Sequence, residues 1–394
     1  MMSQENVMLL LVGGRSATPA VMGALQFIDD VDRVKFLLCK HQDDLYLTFQ
    51  ETILWLLKAS KPDLLCDNVR DVKTVDANDF DEVTTAVTKL CSNTTSLNYV
   101  NLTSAPQPMS FAVYNYLRTH HPQALPFSVN THTSQIIPLI PGKKRYNLTK
   151  KLDVEAYIKA CNTAVFQYKF KIDNLSCKPE QAEMIVHEFV ANISQTNKFL
   201  TIIRKAGEVI KAPKKIPIPT STLRKKDIRV EEMREFLQRL QEINLVTQVK
   251  ETESGLSYRI ETKHDHAFLY GDWLEYYVYL QAKKADFDSV KMSVELQGYN
   301  GEIDIFAVHN ANALICECKT GKYRTDDLAR LESKASKLGG NYCVRLFITT
   351  ALEVTPEFCN QAKNRRIIVV NGNELPEISR ILTKEMNQPA FQRN

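Results

Sequence analysis

Two hydrophobic periods organise this chain. The unbroken apolar run Val7 to Val12 predicts a strand buried on both faces. Gly13-Gly14-Arg15-Ser16-Ala17-Thr18-Pro19 follows it and leads into a helix through Val21, Leu25 and Ile28. Phe36-Leu37-Leu38 predicts a second strand, and Leu45 to Leu57 a helical run. Phe80 to Leu90 has helical spacing, and Leu97 to Leu102 reads as a strand that ends in Thr103-Ser104-Ala105-Pro106-Gln107-Pro108 before a helix from Met109 to Leu117. In a doubly wound sheet the first and fourth strands are neighbours, so the loops after them face one crevice. Both loops are small and polar and end at helix N-termini, a chemistry suited to phosphate or nucleotide groups. The first loop is not the G-x-G-x-x-G dinucleotide pattern, and a purely structural glycine turn is the competing reading.

The middle of the chain predicts helices over Asp153 to Ala160, Pro179 to Ile193 and Val230 to Ile243, the last with Met233, Phe236, Leu237 and Leu240 at helical spacing. Leu245 to Val249 and Leu256 to Ile260 read as two strands around Glu253-Ser254-Gly255. Between Lys211 and Lys226 the sequence KAPKKIPIPTSTLRKK is basic and proline-rich and holds no acid, which predicts an extended, exposed connector.

Strict alternation returns near the C-terminal end. Glu302, Asp304, Phe306 and Val308 share one strand face, and Ala313, Ile315, Glu317 and Lys319 share another. If His309-Asn310-Ala311-Asn312 forms the loop, Val308 pairs with Ala313, Asp304 faces Glu317, and Glu302 faces Lys319 as a cross-strand salt bridge. Two facing carboxylates call for a cation, and hard divalent ions such as magnesium or manganese prefer such oxygen ligands. Lys319 projects to the same face and is placed to position, or help deprotonate, a water near a phosphate. The set suits phosphodiester hydrolysis. Solvated charges on an edge hairpin are the plainer alternative. Around the hairpin, Gly271 to Tyr277 predicts a helix carrying Glu275, and Thr325 starts a helix with Leu328, Leu331, Ala335 and Leu338 in phase, closed by Gly339-Gly340. Strands at Cys343 to Thr349 and Ile367 to Val370 follow.

Composition adds bounds. A chain of 394 residues, 44% of them hydrophobic, is long enough for two or three domains with real cores. The longest apolar run is far too short to span a bilayer, and Met1 to Asn6 lacks the basic start of a signal peptide, so a cytoplasmic protein is expected. The nine cysteines show neither zinc-ligand nor disulfide spacing, and the formal net charge of +4 points to no particular partner.

The order helix, strands, helix, strand around Glu275, Asp304, Glu317 and Lys319 resembles the PD-(D/E)xK restriction-like nuclease superfamily over residues 264–375. That resemblance implies Asp304 and Glu317 as metal ligands, the Cys318 carbonyl as a backbone ligand, Lys319 as the catalytic lysine and Glu275 as the helix acid. Ile303 stands where the motif's proline would be. The Rossmann-like N-terminal order and its loops resemble the CARF domain, the sensor of cyclic oligoadenylates in type III CRISPR antiviral immunity. The whole chain then resembles the CARF-linked, Card-type endonucleases. Gly13, Gly14, Ser16 and Thr18 in the first loop, with Thr103, Ser104 and Gln107 in the second, would line the ring-nucleotide site. Pro106 and Pro108 depart from the glycine-rich second loop common in that family and remove amide donors.

The fold class expected is therefore α/β. It comprises a Rossmann-like CARF domain (1–148), a helical and winged-helix-like connector (149–263) and a restriction-endonuclease-like α/β domain (264–394). The family further implies a homodimer, Mn2+ or Mg2+, cyclic tetra-adenylate as activator, and DNA as substrate, with single-stranded DNA or RNA as further candidates. Two rivals stand beside it: a ligand-responsive DNA-binding regulator with an inert nuclease fold, and a nuclease not controlled by a cyclic nucleotide.

Overall fold

A run of six buried residues makes β1 (Asn6–Val12) a central strand, because both of its faces must be covered. The computed structural model describes residues 5–41, 44–92, 94, 96–170, 172–207, 215–298, 301–310, 312–338, 343–388 and 390–392. They belong to two compact units: Met1–Val165 with Val308–Ala313 and Lys337–Tyr342, and Phe166–Ala307 with Leu314–Ser336 and Cys343–Asn394.

In the first unit β1 is followed by β2 (Arg33–Cys39), β3 (Val72–Val75), β4 (Ser96–Ser104), β5 (Leu125–Asn130), β6 (Gln135–Pro138) and β7 (Tyr146–Asn147). The sheet order β3-β2-β1-β4-β5-β6-β7 sets β1 between β2 and β4, both parallel to it. The first and fourth strands are thus adjacent, as the pattern predicts. β3 is only four residues long and reads Val-Lys-Thr-Val, which gave no signal, and the antiparallel return through β6 and β7 was likewise unanticipated. Helices Thr18–Gln26, Leu45–Ser60, Phe80–Cys91 and Gln107–His120 join the parallel strands. Asp79 starts the third of these by accepting from the amides of Asp81 and Glu82, and its acidic first turn suits the positive end of the helix dipole. Gly23 lets the first helix approach β4 and β5: a Cβ there would lie 2.4 Å from Asn101 Nδ2 and 2.8 Å from Phe127.

The second unit begins with β8 (Val165–Tyr168) and helices Pro179–Ala191 and Ile193–Gly207, a pair where the sequence predicted one helix ending at Ile193. β9 (Lys215–Pro219), β10 (Thr247–Thr252) and β11 (Gly255–Arg259) form a small sheet in the order β10-β11-β9. β9 corrects the expectation of an exposed connector over 211–226, of which residues 211–214 lie outside the described residues. Ile216 and Ile218 alternate inward while Pro217 and Pro219 fall on an edge strand, where a missing amide is tolerated. Helix Val230–Glu242 precedes the β10–β11 ribbon and buries Met233, Phe236, Leu237 and Leu240.

The larger sheet holds β12 (Ser289–Leu296), β13 (Glu302–His309), β14 (Asn312–Lys319), β15 (Val344–Thr349) and β16 (Ile368–Val370), in the order β16-β15-β14-β13-β12-β8. β13 and β14 are neighbours, as expected, and extend one residue further toward the loop at each side. Helix Trp273–Lys284 and helix Thr325–Leu338 flank them. One apolar core, including Phe189, Phe236, Trp273, Leu314 and Leu346, runs from the middle segment into this sheet. Each large apolar side chain so buried contributes roughly 1.5–3 kcal/mol, enough to hold charged groups of the sheet in a dry setting.

Candidate nuclease site and ligand crevice

Asp304 and Glu317 sit on neighbouring central strands and are 7% and 6% exposed. Two carboxylates cannot both stay charged in such a place without help, and the structure divides the burden unequally. Burial and then the charge of Glu317 push the Asp304 carboxyl up to about 7. Asp304 Oδ2 also accepts from the Cys318 amide at 2.6 Å, which locks β13 to β14 at this point. Burial raises Glu317 too, but Lys334 and Lys319 outweigh it and hold the group below the ordinary glutamate range. Lys319 Nζ donates to Glu317 Oε1, and Lys334 Nζ donates to Oε2 at 3.0 Å. The salt bridge expected between Glu302 and Lys319 is absent. Glu302 pairs instead with Lys169 at 3.1 Å, and its backbone carbonyl accepts from Lys334. The reason is local: Lys319 and Glu317 project from one face of one strand, and Glu317 is the buried acid in need of neutralisation.

Glu275 lies in the first turn of helix Trp273–Lys284. Burial first, then the charges of Asp304, Asp272 and Glu302, raise its carboxyl well above the usual value. Ser293 Oγ donates to Glu275 Oε2 at 3.3 Å, from a residue with φ 54° in the middle of β12. A buried serine in the left-handed region is strained, a state usually held by surrounding packing near functional groups. A cavity of about 300 Å³ adjoins these groups, lined by Lys169, Lys263, His264, Asp272, Glu275 and Glu302 among others. Asp272, half-buried and close to the charge of Glu302, is pushed up to about 6, by desolvation first.

Among the described residues no three His, Cys, Asp or Glu side chains converge as a ready metal cage. The donor set nevertheless fits a hard divalent cation: Asp304 and Glu317 offer carboxylate oxygens, Cys318 a backbone carbonyl, and two ammonium groups already stand against Glu317. The thiol of Cys318 is raised far above its ordinary range by burial and the Asp304 charge, so it is no thiolate ligand. Lys319 is lowered by burial but raised more by Glu317 and Asp304, which keeps it an ammonium. In this arrangement it stands as a positive charge beside Glu317. Lys334 escaped the sequence reading although it is three residues after Leu331 and four before Leu338, on the apolar side of its helix. A lysine at such a position signals a buried anionic partner.

In the first unit the two predicted loops meet. A Cβ on Gly14 would lie 3.5 Å from Ser104 O, and one on Gly13 would lie 2.1 Å from Cys39 Sγ and 2.9 Å from Pro106 Cδ. Position 13 thus requires glycine for this close approach, whereas a Cβ at Gly14 would make only ordinary contact with the second loop. Ser16 and Thr18 turn inward: their hydroxyls bond each other at 2.8 Å, Ser16 Oγ also bonds Thr18 N, and it lies 3.4 Å from Ala160 O. Thr103 Oγ1 donates to Asn101 Oδ1 and accepts from Val129 N, both at 2.7 Å. These three hydroxyls shape the loops rather than project from them. Ser104 Oγ is buried without a hydrogen-bond partner, and Gln107 is exposed at the start of helix Gln107–His120. Thr103 and Gln107 line a cavity of about 610 Å³ with Ser110, Phe111, Tyr114 and Ser128.

The C-terminal geometry has a counterpart among known families: residues 262–388 match the family model described as Card1-like, endonuclease domain. This segment is similar to Card1-like endonuclease domains. Solved structures place the fold of the whole chain. Protein VC1899 from Vibrio cholerae aligns over 97% of this chain and 98% of its own, with 15% identity and a TM-score of 0.75. Can2 from Sulfobacillus thermosulfidooxidans, solved in complex with cyclic tetra-adenylate, aligns over 98% of each chain at 16% identity and a TM-score of 0.70. A type III CRISPR defence DNA nuclease activated by cyclic oligoadenylate aligns over 90% of this chain and 47% of its own, at 10% identity and a TM-score of 0.54. No curated protein matches the sequence. The expected fold class is the one found: α/β, with a Rossmann-like N-terminal sheet, a helix followed by a β-ribbon, and Glu275, Asp304, Glu317 and Lys319 within the segment that matches the endonuclease model.

Proposed function

We propose that this chain is a divalent-metal-dependent endonuclease that cleaves or nicks DNA and is switched on by a cyclic oligoadenylate, cyclic tetra-adenylate in the first instance, as a homodimer in type III CRISPR defence. The observation that carries the reading is the Asp304, Glu317 and Lys319 set on the two central strands of a segment similar to Card1-like endonuclease domains. Asp304, Glu317 and the Cys318 carbonyl would hold Mn2+ or Mg2+, which when bound supplies Lewis-acid charge beside the phosphate. Lys319 offers a permanent ammonium that favours charge developing on the phosphate oxygens. Glu275, held by Ser293, supports the acidic side of the site and orients rather than reacts.

Support for the activator comes from the shared fold with a protein solved with cyclic tetra-adenylate and from the apposition of two small-residue loops. Gly13 and Gly14 allow the backbone to reach a ring nucleotide, Ser104 and Gln107 offer polar contacts, and Ser16, Thr18 and Thr103 fix the loop shapes. A two-fold ring suits a two-fold dimer. It switches the enzyme only if the cutting-competent arrangement binds it more tightly than the resting one.

The test is incubation of purified protein with supercoiled plasmid and labelled single strands, in Mn2+ or Mg2+, with and without cyclic tetra-adenylate, beside Lys319→Ala. Ligand-dependent cutting that the variant loses is the expected result. Cutting that ignores the ligand rejects the switch and keeps the nuclease. Tight duplex binding without cutting under every condition rejects the nuclease and supports a DNA-binding regulator.

A further inference from the structure

Glu317 presents two oxygens, and both are occupied by ammonium groups. Lys319 reaches Oε1 from two residues along the same strand, a contact that the strand period itself provides. Lys334 reaches Oε2 from a separate element, helix Thr325–Leu338, and a second bond from the same ammonium to the Glu302 carbonyl fastens it to β13. Its side chain is 13% exposed, against 30% for Lys319. Lys334 therefore presents a monovalent cation, bonded by a carboxylate and a backbone carbonyl, the oxygen types that a hard divalent ion takes as ligands. A divalent ion on Glu317 Oε2 would meet this ammonium as a like charge at close range in a poorly solvated setting, where repulsion is strong.

We propose that Lys334 is a tethered competitor of the divalent cation. In the conformation seen here its ammonium latches Glu317, and loading of the site requires Lys334 to let go. The inference rests on the nuclease reading of Asp304 and Glu317, and it assigns Lys334 a positioning role: it sets the availability of Glu317 and takes no part in bond cleavage. A lysine serving only to pin the helix to β13 would be insensitive to the identity of the cation and would not oppose its binding.

The experiment is a Mn2+ titration of metal-stripped, full-length protein, with free Mn2+ read by electron paramagnetic resonance. Lys334→Met removes the charge and keeps the length of the stem, so its apparent dissociation constant is expected to fall about tenfold, the scale of one removed like charge near a bound ion. Lys334→Arg keeps the charge and should stay near wild type. If Lys334→Met does not fold, as judged from Trp273 fluorescence, Lys334→Gln serves in its place, since its amide still donates to the Glu302 carbonyl. Mn2+ binding that depends on Glu317, shown by its loss in Glu317→Gln, but is unchanged or weaker in the neutral Lys334 variant overturns the latch alone. Binding that survives Glu317→Gln, or no binding in wild type and neutral variant alike, overturns the metal-site reading and the latch with it.

Discussion

Replacing Asp304 by Asn should stabilise the second unit, and by more at alkaline pH. Asp304 keeps its proton up to about pH 7 in the folded protein, because it is buried beside charged Glu317, whereas its ordinary value is 3.8. Between these values the native state binds more protons than the unfolded chain. Stability contributed by the neutral acid is therefore whole below about pH 4, declines as pH rises, and is gone above about pH 7. At 1.36 kcal/mol per tenfold change in proton affinity, the cost of ionising Asp304 reaches roughly 2 kcal/mol at pH 5 and roughly 4 kcal/mol at pH 8. Asn is nearly isosteric, keeps an oxygen for the Cys318 amide bond, and never ionises. Its advantage over Asp should thus grow by roughly 2–3 kcal/mol from pH 5 to pH 8. The assay is urea unfolding in EDTA at the two pH values, followed by Trp273, which is buried in this unit. Trp55, 55% exposed in the first unit, is replaced by Phe in both proteins so that one fluorophore reports. An Asn variant that is no more stable than wild type at pH 8, or whose advantage does not change with pH, refutes the claim that Asp304 carries the proton of the pair.

Three further outcomes follow from particular contacts. Lys319→Ala should lower single-turnover plasmid cleavage at least about 10²-fold, the scale of losing one preorganised charge at a reacting group, with ligand binding unchanged by calorimetry; near-normal cutting would remove Lys319 from the site. Gly13→Ala must push a Cβ against Cys39 Sγ and Pro106 Cδ, so it should cost about 1–3 kcal/mol of stability and weaken cyclic tetra-adenylate binding in a calorimetric titration, whereas unaltered affinity would place the ligand elsewhere. Ser104→Ala removes a buried hydroxyl with no partner, and such a loss is close to neutral or mildly stabilising; the free protein should melt no earlier, while the upward shift of its melting temperature by cyclic tetra-adenylate should shrink.

The elements legible in the sequence were those whose period survives without tertiary context. β1, β4 and the β13–β14 hairpin announced themselves because long apolar or alternating runs leave few alternatives. β3 and β9 did not: the first is four residues long and half polar, and the second is a proline-rich edge whose only signal was the alternation of Ile216 and Ile218 within a basic run. The candidate site divides in the same way. Side chains on one strand face could be grouped from spacing alone, which brought Asp304, Glu317 and Lys319 together, but spacing does not tell which acid a lysine will choose. Cross-strand register pointed Lys319 to Glu302, and burial decided otherwise, since Glu317 is nearly dry while Glu302 finds Lys169. Lys334 shows what the pattern did contain. It falls in phase with Leu331 and Leu338 on the apolar side of its helix, so the anomaly was visible while its solution, a carboxylate on β14, required the fold. The same logic makes the latch testable through Lys334 alone, because a charge placed on an apolar face is retained for the anion it meets, and neutralising it exposes what that anion does in its absence.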